Sequence, residues 1–441
     1  MAGDPQPVRP SALLSVTDGI FLTVGMIIGA LIFKAPSTVA GATSGPLEFL
    51  LAWLFGGVVS LCGALVYAEL AARHPDTGGE YVFLTQGFGR GVAFLFAWSR
   101  MTVIQTGAIA AVAFVFGDYA SEIMSLGKNS SAIWAAISVA ALTLLNLAGT
   151  LESKLTQKIM ETALVGGLVL FSIAALLAGG APPGPSGGST GGGSFGFAMI
   201  FVLLAYGGWN EAAYLAGEIP GSARAMMRIL VVGVVAVTAL YLLVNLGYLA
   251  VLGHSGVRDS KAVAADAMRA IAGGKGAVLV ALMVCVSILT TINAALFTGA
   301  RTSYAFGRDF PLFAWLGAWR AAGSTPANAL LLQGAITLGL VGAGAATPDG
   351  FNAMVAYTAP VFWTFFLLTG LTVFRNRSAP TAFRVPLYPT IPIAFCLSCV
   401  YMLYSSIDYV RNPDYGPRFG YAVVAGLFVM ALGIPLYFKS R

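Results

Sequence analysis

Two short stretches hold the residues with the most chemical use: Gly25–Gly41, GMIIGALIFKAPSTVAG, and Ala205–Pro220, AYGGWNEAAYLAGEIP. Each carries a glycine pair, Gly25/Gly29 and Gly207/Gly208, inside an apolar run long enough to enter a bilayer. Glycine weakens a helix interior, and a helix that unwinds at membrane depth frees N–H and C=O groups that lipid cannot satisfy. Those groups must face a ligand, an ion or a water-filled cavity. Amides at the start of a resumed half-helix, here Gly29, Ala30, Leu31 and Ile32, suit a carboxylate. Carbonyls left at the end of the preceding half, here Met26 and Ile27 with Tyr206 from the second stretch, suit an ammonium group. The alternative is glycine-assisted close packing between helices. Recurrence at two places, each flanked by aromatic or polar residues, favours a site, and Gly207, Trp209 and Asn210 join its candidate lining.

Other polar groups inside the apolar runs are few. Glu211 follows the second glycine pair, and its roles stay open: proton carrier, pathway residue or ion-pair partner. Glu161 is a weaker proton-carrier candidate. Asn293 is a buried amide that either contacts a ligand or bridges to helix 1 or 6, and Tyr357 is a further lining candidate. Trp209 and Tyr214 read equally well as packing residues. Ser287, Thr290 and Thr291 place hydroxyls within about one turn, oxygen ligands of the kind a hard cation takes, or simply groups that bond back to their own helix. Glu69, Arg73 and Arg301 read as ion pairs at a helix end, and Lys34 as a rim residue. No nucleophile–base or metal constellation stands out, which excludes an enzyme. Cys396 and Cys399 are spaced CxxC but lack histidine or acidic neighbours, so they read as packing residues.

These groups need long helices to hold them. The 441 residues are 58% hydrophobic and only 10% charged, too little charge for a water-soluble domain of this size. Continuous apolar runs of about 20 residues exclude a β-barrel and predict an all-α polytopic membrane protein. Twelve spans follow, near 11–41, 46–72, 91–121, 131–150, 154–178, 195–217, 224–252, 275–306, 325–345, 350–375, 388–410 and 418–439. Residues 1–10 read as a polar N-terminal tail and 179–194 as a Gly/Pro/Ser-rich exterior linker. SGVRDSKAVAADAMRAIAGG reads as a short amphipathic helix over the exterior mouth. Of 24 basic residues, 16 fall on the side that carries both termini, which marks that side as cytoplasmic. The net charge of +6 therefore calls for no nucleic-acid partner. Interrupted helices 1 and 6 match if 11–178 and 195–375 are inverted repeats, with 376–441 appended, and such a pair points to a transporter's substrate site.

Several motifs together carry a family resemblance. VGMIIGALIFKAP, YAELAARHPDTGGEYVFL (Tyr67–Leu84), AYGGWNEAAYLAGEI (Ala205–Ile219), NAALFTGARTSYAFGRD (Asn293–Asp309) and FRVPLYPTIP (Phe383–Pro392) resemble the amino acid–polyamine–organocation superfamily. Within it, they resemble the L-type amino acid transporter branch. The resemblance implies the LeuT-type fold of two five-helix inverted repeats with broken helices 1 and 6, and transport of amino acids by alternating access across a cell membrane.

The sequence departs from that pattern at three leucines. Leu31 stands where the family has glycine, Leu204 where it has a gating aromatic, and Leu164 where it commonly has a lysine on helix 5. A leucine at 31 that points inward shortens the pocket and favours small neutral amino acids, with Leu204 returning volume opposite. Polyamine or cationic substrates are the alternative, as is a sensor or channel of the same fold. No cofactor is implied beyond Na+ or H+ as coupling ion. A sodium site would draw on Gly25 with Ser287, Thr290 and Thr291, while the resemblance ranks exchange or proton linkage ahead. Heteromeric relatives bond an accessory subunit through a cysteine after helix 3. GDYASEIMSLGKNSSA has none, so no disulfide-linked partner is expected.

Overall fold

The computed structural model describes residues 16–74, 79–149, 154–179, 194–210, 223–320, 325–375, 381, 383–411 and 417–440. Among them nine helices are long and apolar enough to cross a membrane, and the protein is an all-helical integral membrane protein. The predicted spans at 11–41, 154–178 and 195–217 are not in that set. The first and third are interrupted, and of the second only Thr162–Ala178 has described side chains.

The first span divides into α1 (Val16–Ile27), a 3-10 turn (Ala30–Phe33) and α2 (Ala35–Ala42). After it come α3 (Pro46–Arg73), α4 (Glu80–Phe88), α5 (Arg90–Ser99), α6 (Gln105–Ile123), α7 (Ser130–Ala148) and α8 (Lys154–Ala178). A π-helical turn, Arg100–Ile104, joins α5 to α6. The surplus residue of such a turn disturbs the carbonyl ladder, and the Tyr357 hydroxyl donates to the Thr102 carbonyl there at 3.1 Å. Tyr357 thus serves the α5–α6 junction.

The second half opens with α9 (Phe195–Ala205), then α10 (Ala223–Asp259) and α11 (Val263–Asp309), which bend at Gly253 (φ 67°) and Gly273 (φ 68°). The pieces between those bends form a helical cap over one end of the bundle, where the sequence places a short amphipathic helix, and its residues Val263, Ala264, Ala265 and Ala267 are buried. The remaining helices are α12 (Ala327–Ala345), α13 (Gly350–Thr372), α14 (Thr390–Arg411) and α15 (Pro417–Lys439).

Below the bundle, α3 is tied to the chain entering α14. Buried Glu69 pairs with Arg73 one turn on and accepts the Val385 N–H at 2.7 Å. Arg73 donates to the carbonyls of Val373 and Arg375 at 3.0 and 3.1 Å. The expected Glu69–Arg73 pair is therefore present. Arg301 is elsewhere, its guanidinium 3.4 Å from the centre of the Phe297 ring, a cation–π contact one turn away on the same helix.

Removing one partner of a buried pair leaves an uncompensated charge, at a cost of about 3–5 kcal/mol. Glu69→Ala should accordingly lower the unfolding temperature of the detergent-solubilised protein markedly. Glu69→Gln, which retains an acceptor for Val385, should lower it less. Equal melting curves for Glu69→Ala and the parent would contradict this.

Candidate functional site

Helix α1 stops because Ile28 and Gly29 leave helical geometry, Gly29 in extended conformation (φ −124°, ψ −170°). The amides of Gly29, Ala30 and Leu31 precede the first closed 3-10 turn and have no helical partner. The Ile32 N–H closes that turn, which narrows the expected amide set. On the other side of the break, Val24 O still accepts the Ile28 N–H at 2.9 Å. The carbonyls of Gly25, Met26 and Ile27 lie past the last such bond.

Helix α9 stops in the same way. The chain turns through Tyr206, Gly207 and Gly208, with Gly207 N–H donating to Leu204 O at 3.0 Å. Gly208 adopts φ +108°, and a Cβ there would run into the Met26 carbonyl oxygen. Two demands therefore select glycine: a left-handed backbone and direct contact with the other break. The interruptions in helices 1 and 6, read from sequence as a matched pair, meet backbone to backbone.

A side chain that the sequence reading missed joins them. The Tyr241 hydroxyl on α10 lies 3.1 Å from Ile27 O and 3.0 Å from Ala205 O, the last residues of α1 and α9. Its one proton is shared between two carbonyls that helix ends leave open. Tyr241 is fully buried and packs edge-on to Trp53 (5.5 Å) and Tyr206 (5.0 Å). A signal existed: Thr238, Tyr241, Asn245 and Tyr248 recur every three or four residues, a polar stripe along an otherwise apolar helix.

The other candidates separate into those at the breaks and those committed elsewhere. The Tyr206 hydroxyl donates to Trp53 O at 2.9 Å, which fixes its ring against α3 and leaves its backbone at the break. Trp209 packs among Tyr67, Phe366 and Phe395 at 5.1–5.9 Å, the packing role weighed for it. Gly56 and Gly63 on α3 leave the room that the Tyr206 and Trp209 rings occupy. Leu31, Leu204 and Asn210 are half-buried, and both leucines pack against the core. Asn293 Oδ1 accepts from Asn146 Nδ2 at 2.6 Å, so this amide bridges to α7. The Thr290 and Thr291 hydroxyls donate to Ser287 O at 2.7 and 3.1 Å, the back-bonding common for hydroxyls on membrane helices. Glu211 and Tyr214 lie outside the described residues, as does the side chain of Glu161.

The end of the bundle under the cap is closed around the second half of the broken span. Lys34, read from sequence as a rim residue, is buried and pairs with Asp118 on α6 at 2.8 Å. At the far end of α2, Thr43 Oγ1 lies 3.2 Å from His254 Nε2 just past the α10 bend. Burial holds the His254 imidazole below its usual range, with Arg258 adding to that effect and Glu48 opposing it.

With this geometry in view, the chain's relatives become informative. The family model described as amino acid permease matches residues 14–430. The chain belongs to the amino acid permease family. It is 28% identical over 449 residues to the b(0,+)-type amino acid transporter 1 of Rattus norvegicus, covering 99% of this chain and 89% of that protein. It is 27% identical over 436 residues to the serine/threonine exchanger SteT of Bacillus subtilis, covering 95% and 94%. An uncharacterised transporter of Mycobacterium tuberculosis is 29% identical over 434 residues, covering 97% and 91%. These relatives are transporters, not enzymes, and they bear out the resemblance to the L-type branch of the amino acid–polyamine–organocation superfamily.

Deleting the Tyr241 hydroxyl while keeping its ring leaves two buried carbonyls without a proton, at about 1–3 kcal/mol for an unsatisfied group. Tyr241→Phe should lower the melting temperature of the empty protein, and Tyr248→Phe, whose hydroxyl has no partner, should not. The reverse order would remove Tyr241 from the site. Gly208→Ala should abolish amino acid uptake in protein that still inserts and purifies.

Proposed function

We propose that this permease is a secondary active transporter of small neutral amino acids, working by alternating access around the two helix breaks. The observation that carries the reading is the contact between the breaks. It brings the amides of Ala30 and Leu31, which have no helical partner, and the carbonyls of Gly25 and Met26, which lie past the last bond of α1, together with the backbone of Tyr206–Gly208. A zwitterion with carboxylate and ammonium on one carbon has the charges and the compactness to satisfy both sets.

The finer architecture belongs to the same reading. Twelve spans follow if the two interrupted segments and α8 each cross once, and 11–178 and 195–375 then form inverted repeats with 376–441 appended. Both termini are cytoplasmic, in a plasma or inner membrane, by the distribution of basic residues. The back-bonded hydroxyls of Thr290 and Thr291 favour exchange or proton linkage over sodium coupling, with Glu211 as the proton's candidate carrier. A polyamine or cationic substrate fits less well, since it calls for converging carboxylates, and among the described residues no three His, Cys, Asp or Glu side chains are grouped so that they could hold even a metal ion. The chain works alone, without a disulfide-linked accessory subunit.

Leu31 sets the size limit. Adding or removing one methylene in an apolar pocket changes discrimination by about 1–3 kcal/mol, and Leu31→Gly removes a whole isobutyl group. In proteoliposomes holding only this chain, unlabelled internal serine or alanine should drive uptake of the labelled amino acid by counterflow. Tryptophan should compete poorly in the parent and better in Leu31→Gly. Absence of saturable uptake of any amino acid, under exchange, proton or sodium gradients, would reject the transport reading. Unchanged competition in Leu31→Gly would reject only the size limit.

A further inference from the structure

The Lys34–Asp118 pair is unusual in its place and its cost. Lys34 directly follows the 3-10 turn of the broken span and is the residue from which α2 starts. A cation at a helix N-terminus opposes the helix dipole. The Lys34 side chain is only 5% exposed and that of Asp118 14%, so both charges have also lost most of their water. Replacing such a pair with apolar residues is often neutral or stabilising, so stability alone does not explain it.

Its connections describe a closure. The Lys34 ammonium donates to Asp118 Oδ2 at 2.8 Å and reaches the Lys261 carbonyl, at the cap, at 3.4 Å. Asp349, the N-cap of α13, adds a second negative charge nearby, and the Phe351 ring centre lies 6.0 Å away. The next residue on α6 repeats the pattern. The Tyr119 hydroxyl donates to Phe33 O at 2.9 Å and accepts the Ala264 N–H of the cap at 3.1 Å. One turn further, Glu122 pairs with Arg269 of the cap. The last turn and a half of α6 thus grips both the restart of the broken span and the cap above it.

We infer that Lys34 and Asp118 form the exterior latch of the carrier: the cap and α2 stay shut on α6 while the pair is made, and opening to the outside breaks it. Water entering at the exterior rehydrates both charges, which offsets the lost attraction. A hydrated, separable ion pair permits this change, and an apolar contact would not. Lys34 and Asp118 are positioning residues, since neither belongs to the amides and carbonyls at the breaks.

The test reads opening without using any substrate, so it stands apart from the uptake experiment that tests the transport reading. Ala264, 2% exposed on the inner side of the cap, is changed to cysteine in a chain whose Cys62, Cys285, Cys396 and Cys399 are replaced. Labelling by a membrane-impermeant thiol reagent is then followed in proteoliposomes. The Lys34→Gln/Asp118→Asn pair removes both charges and keeps polar side chains that entering water can reach, and Lys34→Ser/Asp118→Ser is the second version should the first fail to fold. Either should speed labelling by about tenfold or more, as a minor open state rises from roughly 1% toward 10% of molecules. Labelling at the parent rate in a folded, monodisperse double variant would show that the pair only holds the structure together, and would overturn the latch. Faster labelling in a chain that transports no amino acid would keep the latch and reject the transport reading.

Discussion

Inside a bilayer, a peptide group without a hydrogen-bond partner costs several kcal/mol, and only another part of the protein, a ligand or trapped water can relieve it. That constraint explains most of what is specific about this chain. Two helices are broken at membrane depth, and each break alone would be an uncompensated defect. The protein brings them together, with Gly208 against the Met26 carbonyl and the Tyr241 hydroxyl between Ile27 O and Ala205 O. What the protein leaves open at this junction, amides of one break and carbonyls beside them, is the part proposed to recognise a substrate.

The rest of the bundle serves that junction. Helix α3 uses Gly56 to admit Tyr206 and accepts that residue's hydroxyl on the Trp53 carbonyl. Helix α10 supplies Tyr241 from a polar stripe, and α6 grips the restart of the broken span through Asp118 and Tyr119. At the other end, the Glu69–Arg73 pair fixes α3 to the segment entering α14. The junction between two half-helices is thus held from several sides by side chains that do not themselves carry the candidate chemistry.

Much of the fold was legible because the physics that sets helix ends is local. Apolar runs placed α3, α7, α12 and α15 within about two residues of their observed ends, and glycines marked both interruptions. What was not legible depends on partners distant in sequence. Lys34 read as a rim residue because nothing near it announces Asp118, 84 positions away. Asn293 found Asn146, 147 positions away on another helix, which no single helix pattern singles out. Tyr241 was visible as part of a stripe, but its role appeared only when both carbonyls lay within reach of one hydroxyl.

The central claim is that the paired breaks bind the substrate backbone. Hydrogen–deuterium exchange of the purified protein, with and without a saturating mixture of the standard amino acids, addresses it directly. The account predicts slowed exchange concentrated in peptides covering Gly25–Ile32 and Leu204–Gly208, where free amides would gain a carboxylate or lose access to water. Protection confined to other helices, with those two segments exchanging as fast as in the empty protein, would contradict it.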